Sequence, residues 1–264
     1  MKQNKVIIIT GSSSGIGQVT AEYLAKDYIV YGLSRSNTGD KEINHIPCDV
    51  TKKDDIKNAF NQVYENEGRI DVIINNAGLG VSGAIEYSTD EELSKIINLN
   101  VIGLVNVCKA SIPYLRKTKG KIINISSVAG VLTIPFQAYY SMTKASVIVI
   151  TEALRMELKP FEIKVTSVLP GDTKTNFTKN RDHPVVLEDN IYKDRIARSI
   201  NKMEKDEQKG VDPIKVSKVI KKVIKKKNPP IKVTVGLDYK LLVFLKRLLP
   251  DKFVNYILYK MYAK

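Results

Sequence analysis

Residues 5–10 (KVIIIT) form an unbroken apolar run that leads directly into Gly11-Ser12-Ser13-Ser14-Gly15-Ile16-Gly17, followed by a helical pattern in Val19, Tyr23 and Leu24. A short continuous apolar run bounded by turn residues reads as a buried strand. Glycines after such a strand let the backbone approach a pyrophosphate closely. The N-terminus of the next helix offers free N–H groups and a favourable dipole. Strand, turn and helix together predict a phosphate cradle at Gly11, Ser13, Ser14, Gly15, Ile16 and Gly17, with spacing G-x-x-x-G-x-G.

The same alternation continues along the chain. Residues 29–33, 43–50, 71–74, 163–169 and 231–235, with Lys121–Ile125, read as further strands. Residues 52–67, 91–115, 138–158 and 211–227 read as helices. Regular alternation predicts a parallel sheet covered by helices on both faces, a Rossmann-type doubly wound α/β fold in one domain over residues 1–237. Residues 176–210 are polar and poorly patterned, with Pro184 among them, and predict a mobile substrate lid beside a strand end.

The strand ends carry the chemistry. Residues 29–33 end in Ser34-Arg35-Ser36, where a dinucleotide fold places an acid for a ribose 2′-hydroxyl or an arginine for a 2′-phosphate. The acid is missing and Arg35 is present, which favours NADPH over NADH. Asp49-Val50 closes the third predicted strand and suits the adenine amino group. Asn76-Ala77-Gly78 follows the fourth at a ligand crevice. Asn100 lies within a helical pattern that asparagine does not favour, so it marks either a kink with a bound water or an exposed position.

From Asn124 to Lys144 the chain reads NISSVAGVLTIPFQAYYSMTK. Tyr140 and Lys144 fall one helical turn apart on one face, whereas Tyr139 is five residues from the lysine and points away. An ammonium near a phenol favours the phenolate, bringing a tyrosine into the working range for proton transfer. Ser127 follows an apolar strand and can bond the same substrate oxygen. Pro170-Gly171-Asp172-Thr173-Lys174-Thr175 follows the strand at 163–169.

Taken in order, Gly11–Gly17, Asp49, Asn75-Asn76-Ala77-Gly78, Asn100, Ser127, Tyr140-x-x-x-Lys144 and Pro170-Gly171 resemble the short-chain dehydrogenase/reductase family, closely over residues 5–175 and more loosely over 211–237. The resemblance implies a nicotinamide cofactor on Gly11, Gly15 and Gly17, an adenine contact at Asp49 and a wall of the site at Asn76. It implies Tyr140 as acid or base, Lys144 on the nicotinamide ribose, Ser127 on the substrate oxygen, and Asn100 holding a water for proton resupply. Thr173 and Thr175 would fix the carboxamide. The Ser34-Arg35-Ser36 end resembles NADP-preferring members. Homodimers or homotetramers are implied as well.

Composition sets the remaining bounds. Of 264 residues 43% are hydrophobic, enough for a full core. Cys48 and Cys108 fit no metal or disulfide spacing and read as thiols of a reducing, cytoplasmic compartment. Val6–Ile9 is too short for a signal-peptide core, and no uninterrupted apolar stretch reaches about 18 residues. The net charge of +14 is concentrated late: residues 201–264 hold 17 Lys/Arg against 6 Asp/Glu. Residues 239–264 divide at Pro250-Asp251 into two apolar halves edged with lysine and arginine, a basic amphipathic extension over 238–264. It suits either packing on the lid or a neighbouring subunit, or the surface of an anionic membrane; nucleic acid is not expected.

The residues and the resemblance together imply an NADP(H)-dependent oxidoreductase interconverting a secondary alcohol and a ketone and holding no metal. The Pro170–Thr175 run and the long tail resemble steroid- and retinol-type members, which implies an apolar, steroid- or retinoid-like molecule. The alternatives are a 3-oxoacyl-[acyl-carrier-protein] reductase and a non-catalytic NADPH sensor or scaffold.

Overall fold

The computed structural model describes residues 3–37, 39–175 and 191–264. Seven strands, β1 (Gln3–Thr10), β2 (Tyr28–Ser34), β3 (Asn44–Pro47), β4 (Val72–Asn75), β5 (Lys121–Ile125), β6 (Lys164–Leu169) and β7 (Lys232–Thr234), form one sheet in the order β3-β2-β1-β4-β5-β6-β7. All neighbouring pairs are parallel.

Side-chain alternation along the strands explains the two helical layers. Ile8, Ile73 and Ile122 join one core with Phe60 of α2 (Lys53–Glu67), Val107 of α4 (Leu104–Thr118) and Val147 of α5 (Ala138–Glu157). Ile7, Ile9, Ile74 and Ile123 join the other with Leu24 of α1 (Gly15–Ala25) and Ile220 of α7 (Pro213–Lys225). A parallel sheet buried on both faces needs apolar residues at every position, which is why the strands read as continuous runs. Strand order reverses between β1 and β4, opening a crevice outside their carboxyl ends.

The 91–115 pattern is not one regular helix. It divides into α3 (Asp90–Ile97), a π-helical turn (Asn98–Gly103) and α4. A π turn inserts an extra residue per turn and recurs at functional sites. Here it carries Asn100, 2% exposed, into the interior, so the exposed position, the other reading of that residue, does not hold. By length and composition Asp90–Thr118 would reach across a bilayer. Its buried side chains, including Ile96, Leu104, Val107 and Leu115, pack within the fold instead.

Two further predicted segments differ from the structure. The third strand ends at Pro47, so Asp49 stands in the turn beyond it. Within residues 176–210, read as unpatterned, α6 spans Lys193–Gln208; residues 176–190 lie outside the described residues. The signal in α6 is faint because only Ile196, Ser199 and Met203 are buried along it, among charged neighbours. The chain ends in α8 (Leu237–Leu248) and α9 (Asp251–Tyr262), broken at Pro250.

A buried polar chain fastens α5 to the sheet. Asn75 Nδ2 donates to Asn124 Oδ1 (2.9 Å), Asn124 Nδ2 to Thr151 Oγ1 (2.9 Å), and Thr151 Oγ1 to the Val147 carbonyl (2.7 Å). Asn124→Ala leaves Asn75 without that acceptor inside the core. The expected result is a lower urea midpoint, with a loss of about 1–3 kcal/mol and an unchanged m-value.

Candidate active site

The phosphate cradle follows from close backbone approach. Gly11 and Gly15 have φ of +65° and +57°, the left-handed region that favours glycine. A Cβ on Gly17 would lie 2.2 Å from the Gly11 carbonyl oxygen, so that position excludes any side chain. Thr10 Oγ1 accepts the amides of Asn76 (3.0 Å) and Ala77 (3.1 Å), and Asn76 Nδ2 donates to the carbonyls of Thr10 (3.2 Å) and Gly11 (3.0 Å). The turn after β1 is thus sewn to the end of β4. Ser13, Ser14, Gly15 and Ile16 line the cleft at the start of α1, whose first turn holds no acidic residue. That donor set and dipole fit a pyrophosphate.

At the next strand end, Arg35 and Ser36 are exposed and line the cleft. Ser34 also lines it, but its hydroxyl donates to the Ser36 carbonyl (2.8 Å) and lies 3.2 Å from His45 Nε2. Asp49 Oδ1 accepts the Thr51 amide (3.0 Å) and hydroxyl (2.7 Å). Partial burial works to raise the Asp49 carboxyl, but those two bonds, with Arg35 and Lys52 nearby, hold it below the usual range. Val50 completes this side of the cleft.

The proton-handling end is built where β5, the π turn and α5 meet. Lys144 is 6% exposed; its Nζ donates to the Ile125 carbonyl (3.0 Å) and sits 5.6 Å from the centre of the Tyr140 ring. Burial pushes its ammonium down to about 8. Ser126 Oγ donates to the Lys144 carbonyl (2.7 Å), and a Cβ on Gly130 would come within 2.7 Å of the Lys144 backbone, so β5 and its following turn hold α5 closely. Ser127 caps that short turn, its Oγ accepting the Ala129 amide (3.1 Å).

Asn100 is pinned on three sides. Its Oδ1 accepts the Leu79 amide (2.9 Å), while Nδ2 donates to the Leu79 carbonyl (2.9 Å) and Thr143 Oγ1 (3.1 Å). Gly78 separates it from the lysine: a Cβ there would meet Asn100 Oδ1 at 3.1 Å and Lys144 Nζ at 3.5 Å. Asn100 and Gly17 brace the site, while the other predicted catalytic and cofactor-binding residues line a single cleft of ≈ 1300 Å³. Pro170, Gly171, Thr173 and Thr175 lie along its β6 side; Thr173 Oγ1 donates to the Gly171 carbonyl (2.9 Å), and Thr175 stands beside Gly15.

The chain end packs on the segment read as a lid, one of the two readings of 238–264: Arg195 Nε donates to the Ala263 carbonyl (3.0 Å) and the Tyr262 hydroxyl to the Asp206 carboxylate (3.2 Å). That this extension also walls the cleft has no signal in the sequence. Tyr239 and Leu242 of α8, Leu258, Met261 and Tyr262 of α9, and Met203 of α6 line the same cleft. The Tyr239 ring packs where Gly171 would carry a Cβ, and its hydroxyl donates to the Asp172 carboxylate. Burial raises that carboxyl above the usual range. Amphipathic spacing reveals the two helices but not what they cover.

Similarity to known proteins follows the same geometry. The short chain dehydrogenase family pattern matches residues 5–185. A 3-ketodihydrosphingosine reductase of Bacteroides thetaiotaomicron is 44% identical over 268 residues, spanning 99% of both chains. A 3-oxoacyl-[acyl-carrier-protein] reductase of Thermotoga maritima is 35% identical over 190 residues, spanning 67% of this chain and 77% of its own. A solved short-chain dehydrogenase of Streptomyces avermitilis superposes with a TM-score of 0.82 at 30% identity, covering 92% of this chain and 93% of its own.

The buried ammonium makes stability depend on pH. With Lys144 near 8 in the folded protein and 10.5 as its ordinary value, the unfolded chain binds the extra proton between those limits. Raising pH through that window therefore stabilises the native state. In cofactor-free protein, urea unfolding at successive pH values should show the wild type gaining more than about 1 kcal/mol relative to Lys144→Met between pH 8 and 10.

Proposed function

We infer that this chain, which belongs to the short-chain dehydrogenase/reductase family, is an NADPH-dependent reductase of a ketone borne on a long apolar chain, of the 3-keto sphingoid type. The observation that carries the reading is the largely apolar set of α8 and α9 side chains that line one cleft together with Ser127 and Tyr140. The likeness to 3-ketodihydrosphingosine reductase supports it, because that likeness runs through those two helices. The likeness favours a long chain over the steroid- or retinoid-like molecule implied by the resemblance in the sequence. Likeness to the acyl-carrier-protein reductase covers only 67% of the chain, which disfavours that alternative.

In this reading the nicotinamide supplies the hydride, and the protein supplies position and the proton. Gly11 and Gly15 with the α1 N-terminus would hold the pyrophosphate, Gly17 permitting the close turn behind them, Asp49 the adenine amino group, and Arg35 with Ser36 the 2′-phosphate. Thr173 and Thr175 orient the carboxamide beside Pro170-Gly171. Ser127 donates a hydrogen bond to the substrate carbonyl, and Tyr140 gives its phenolic proton to the same oxygen. Lys144, held by the Ile125 carbonyl, bonds the nicotinamide ribose and lowers the cost of a phenolate at Tyr140. Asn100 positions Lys144 through Gly78 and Leu79. The homodimer or homotetramer implied by the resemblance is supported by α5, which leaves Val149 and Met156 largely exposed on its outer side.

Three measurements test this assignment. NADPH oxidation should proceed with a long-chain 3-keto sphingoid base and be at least tenfold slower, in kcat/KM, with a 3-oxoacyl-carrier-protein thioester; the reverse order restores the alternative. Tyr140→Phe should retain NADPH affinity within about twofold while kcat falls roughly 10²–10⁴-fold. Retained turnover removes Tyr140 from its role, and an inactive wild type that still binds NADPH favours the sensor reading. Arg35→Ala should lower kcat/KM for NADPH by roughly 10–100-fold and leave NADH unaffected.

A further inference from the structure

We propose that the outward side of the α8–α9 pair docks on an anionic membrane, bringing the catalytic cleft to the bilayer so that a chain-bearing ketone passes from lipid toward Tyr140 without crossing water. Only the delivery step rests on the substrate reading above; the docking surface stands on its own residues.

On α8, Leu237, Leu241, Phe244 and Leu248 recur at helical spacing and are 80%, 57%, 55% and 65% exposed. On α9, Phe253, Tyr256 and Tyr259 form a second exposed stripe at 50%, 57% and 46%. The opposite side of α9 is apolar too: Val254 is buried, and Leu258 and Tyr262 face the cleft. A helix apolar on both sides belongs inside a core or against lipid, and the described chain supplies cover for one side only. Exposed apolar side chains gathered in stripes, rather than scattered singly, mark an interaction site.

Charge selects the partner. Lys240, Arg247, Lys252, Lys260 and Lys264 are exposed on these helices and the chain end, with Asp238 and Asp251 the acids among them, and Asp251 pairs with Lys246. Aromatic and leucine side chains bordered by lysine and arginine match a headgroup boundary, where each basic residue adds attraction toward anionic lipid. A two-fold pairing of the same face with a second copy would set these cations against one another. The two helices therefore present lipid-compatible surface outside and cleft wall inside.

The test is co-sedimentation of the full chain with phosphatidylcholine vesicles, with and without about a third phosphatidylglycerol, at low and high salt. At least tenfold stronger partition into anionic vesicles, lost at high salt, is expected. Phe244→Ser/Phe253→Ser should lower that partition at least tenfold while turnover of a short water-soluble ketone stays within about twofold, which also shows that the variant is folded. Equal partition into both vesicles, or binding unchanged in the double variant, overturns the proposal. So does absence of vesicle binding, including the case where the substitutions instead reduce the oligomer size of the wild type, making the face an interface between copies. Vesicle binding as expected, without turnover of a long-chain ketone, upholds the docking surface and removes the substrate reading.

Discussion

The site depends on one buried cation. An ammonium removed from water is unfavourable unless its surroundings restore what the solvent gave, and Lys144 has few means of recovery. The Ile125 carbonyl takes one N–H bond and the Tyr140 ring lies nearby, so burial still presses the group toward its neutral form. Three elements must meet for even this much compensation: the carboxyl end of β5, the first turns of α5 and the π turn carrying Asn100. The polar chain from Asn75 through Asn124 to Thr151 makes that meeting rigid. A group pressed toward neutrality in this way gains stability from any hydroxyl or phenolate that shares its proton. That gives the lysine a physical reason to engage both ribose and tyrosine.

The second constraint is the far wall. The sheet and its glycine-rich turn prescribe where a dinucleotide lies, but they leave the substrate side open. Here α8 and α9 close it, with Tyr239 seated over Gly171 and tied to Asp172. Leucine, methionine and tyrosine side chains of these helices line the same cleft as Ser127 and suit a hydrocarbon chain. The outer stripe of the same helices extends that preference to the protein surface.

Much of this was legible in the sequence, for identifiable reasons. Buried parallel strands need unbroken apolar runs, and close approach at Gly11 and Gly17 needs glycine, so both leave local marks. Tyr140 and Lys144 stand one turn apart on one helix, a spacing visible without coordinates. Residues acting across the fold left no such mark. Thr10 looked like a strand end, yet its hydroxyl fixes two amides 66 and 67 residues away. Thr143 and Ser126, which brace Asn100 and Lys144, lie beside recognised residues but have no pattern of their own. The sparse buried stripe of α6 was hidden among charges, and the seating of α8 on β6 is a long-range contact that periodicity cannot report.

The central claim, an apolar-chain ketone bound along α8 and α9, is tested most directly by kcat/KM for NADPH-dependent reduction across 3-keto sphingoid bases of increasing chain length. A chain buried along that wall should raise kcat/KM with each added methylene, by up to about 0.8 kcal/mol or roughly fourfold, until the cleft is filled. A profile flat in chain length would mean that the wall does not hold the substrate, and would contradict the account.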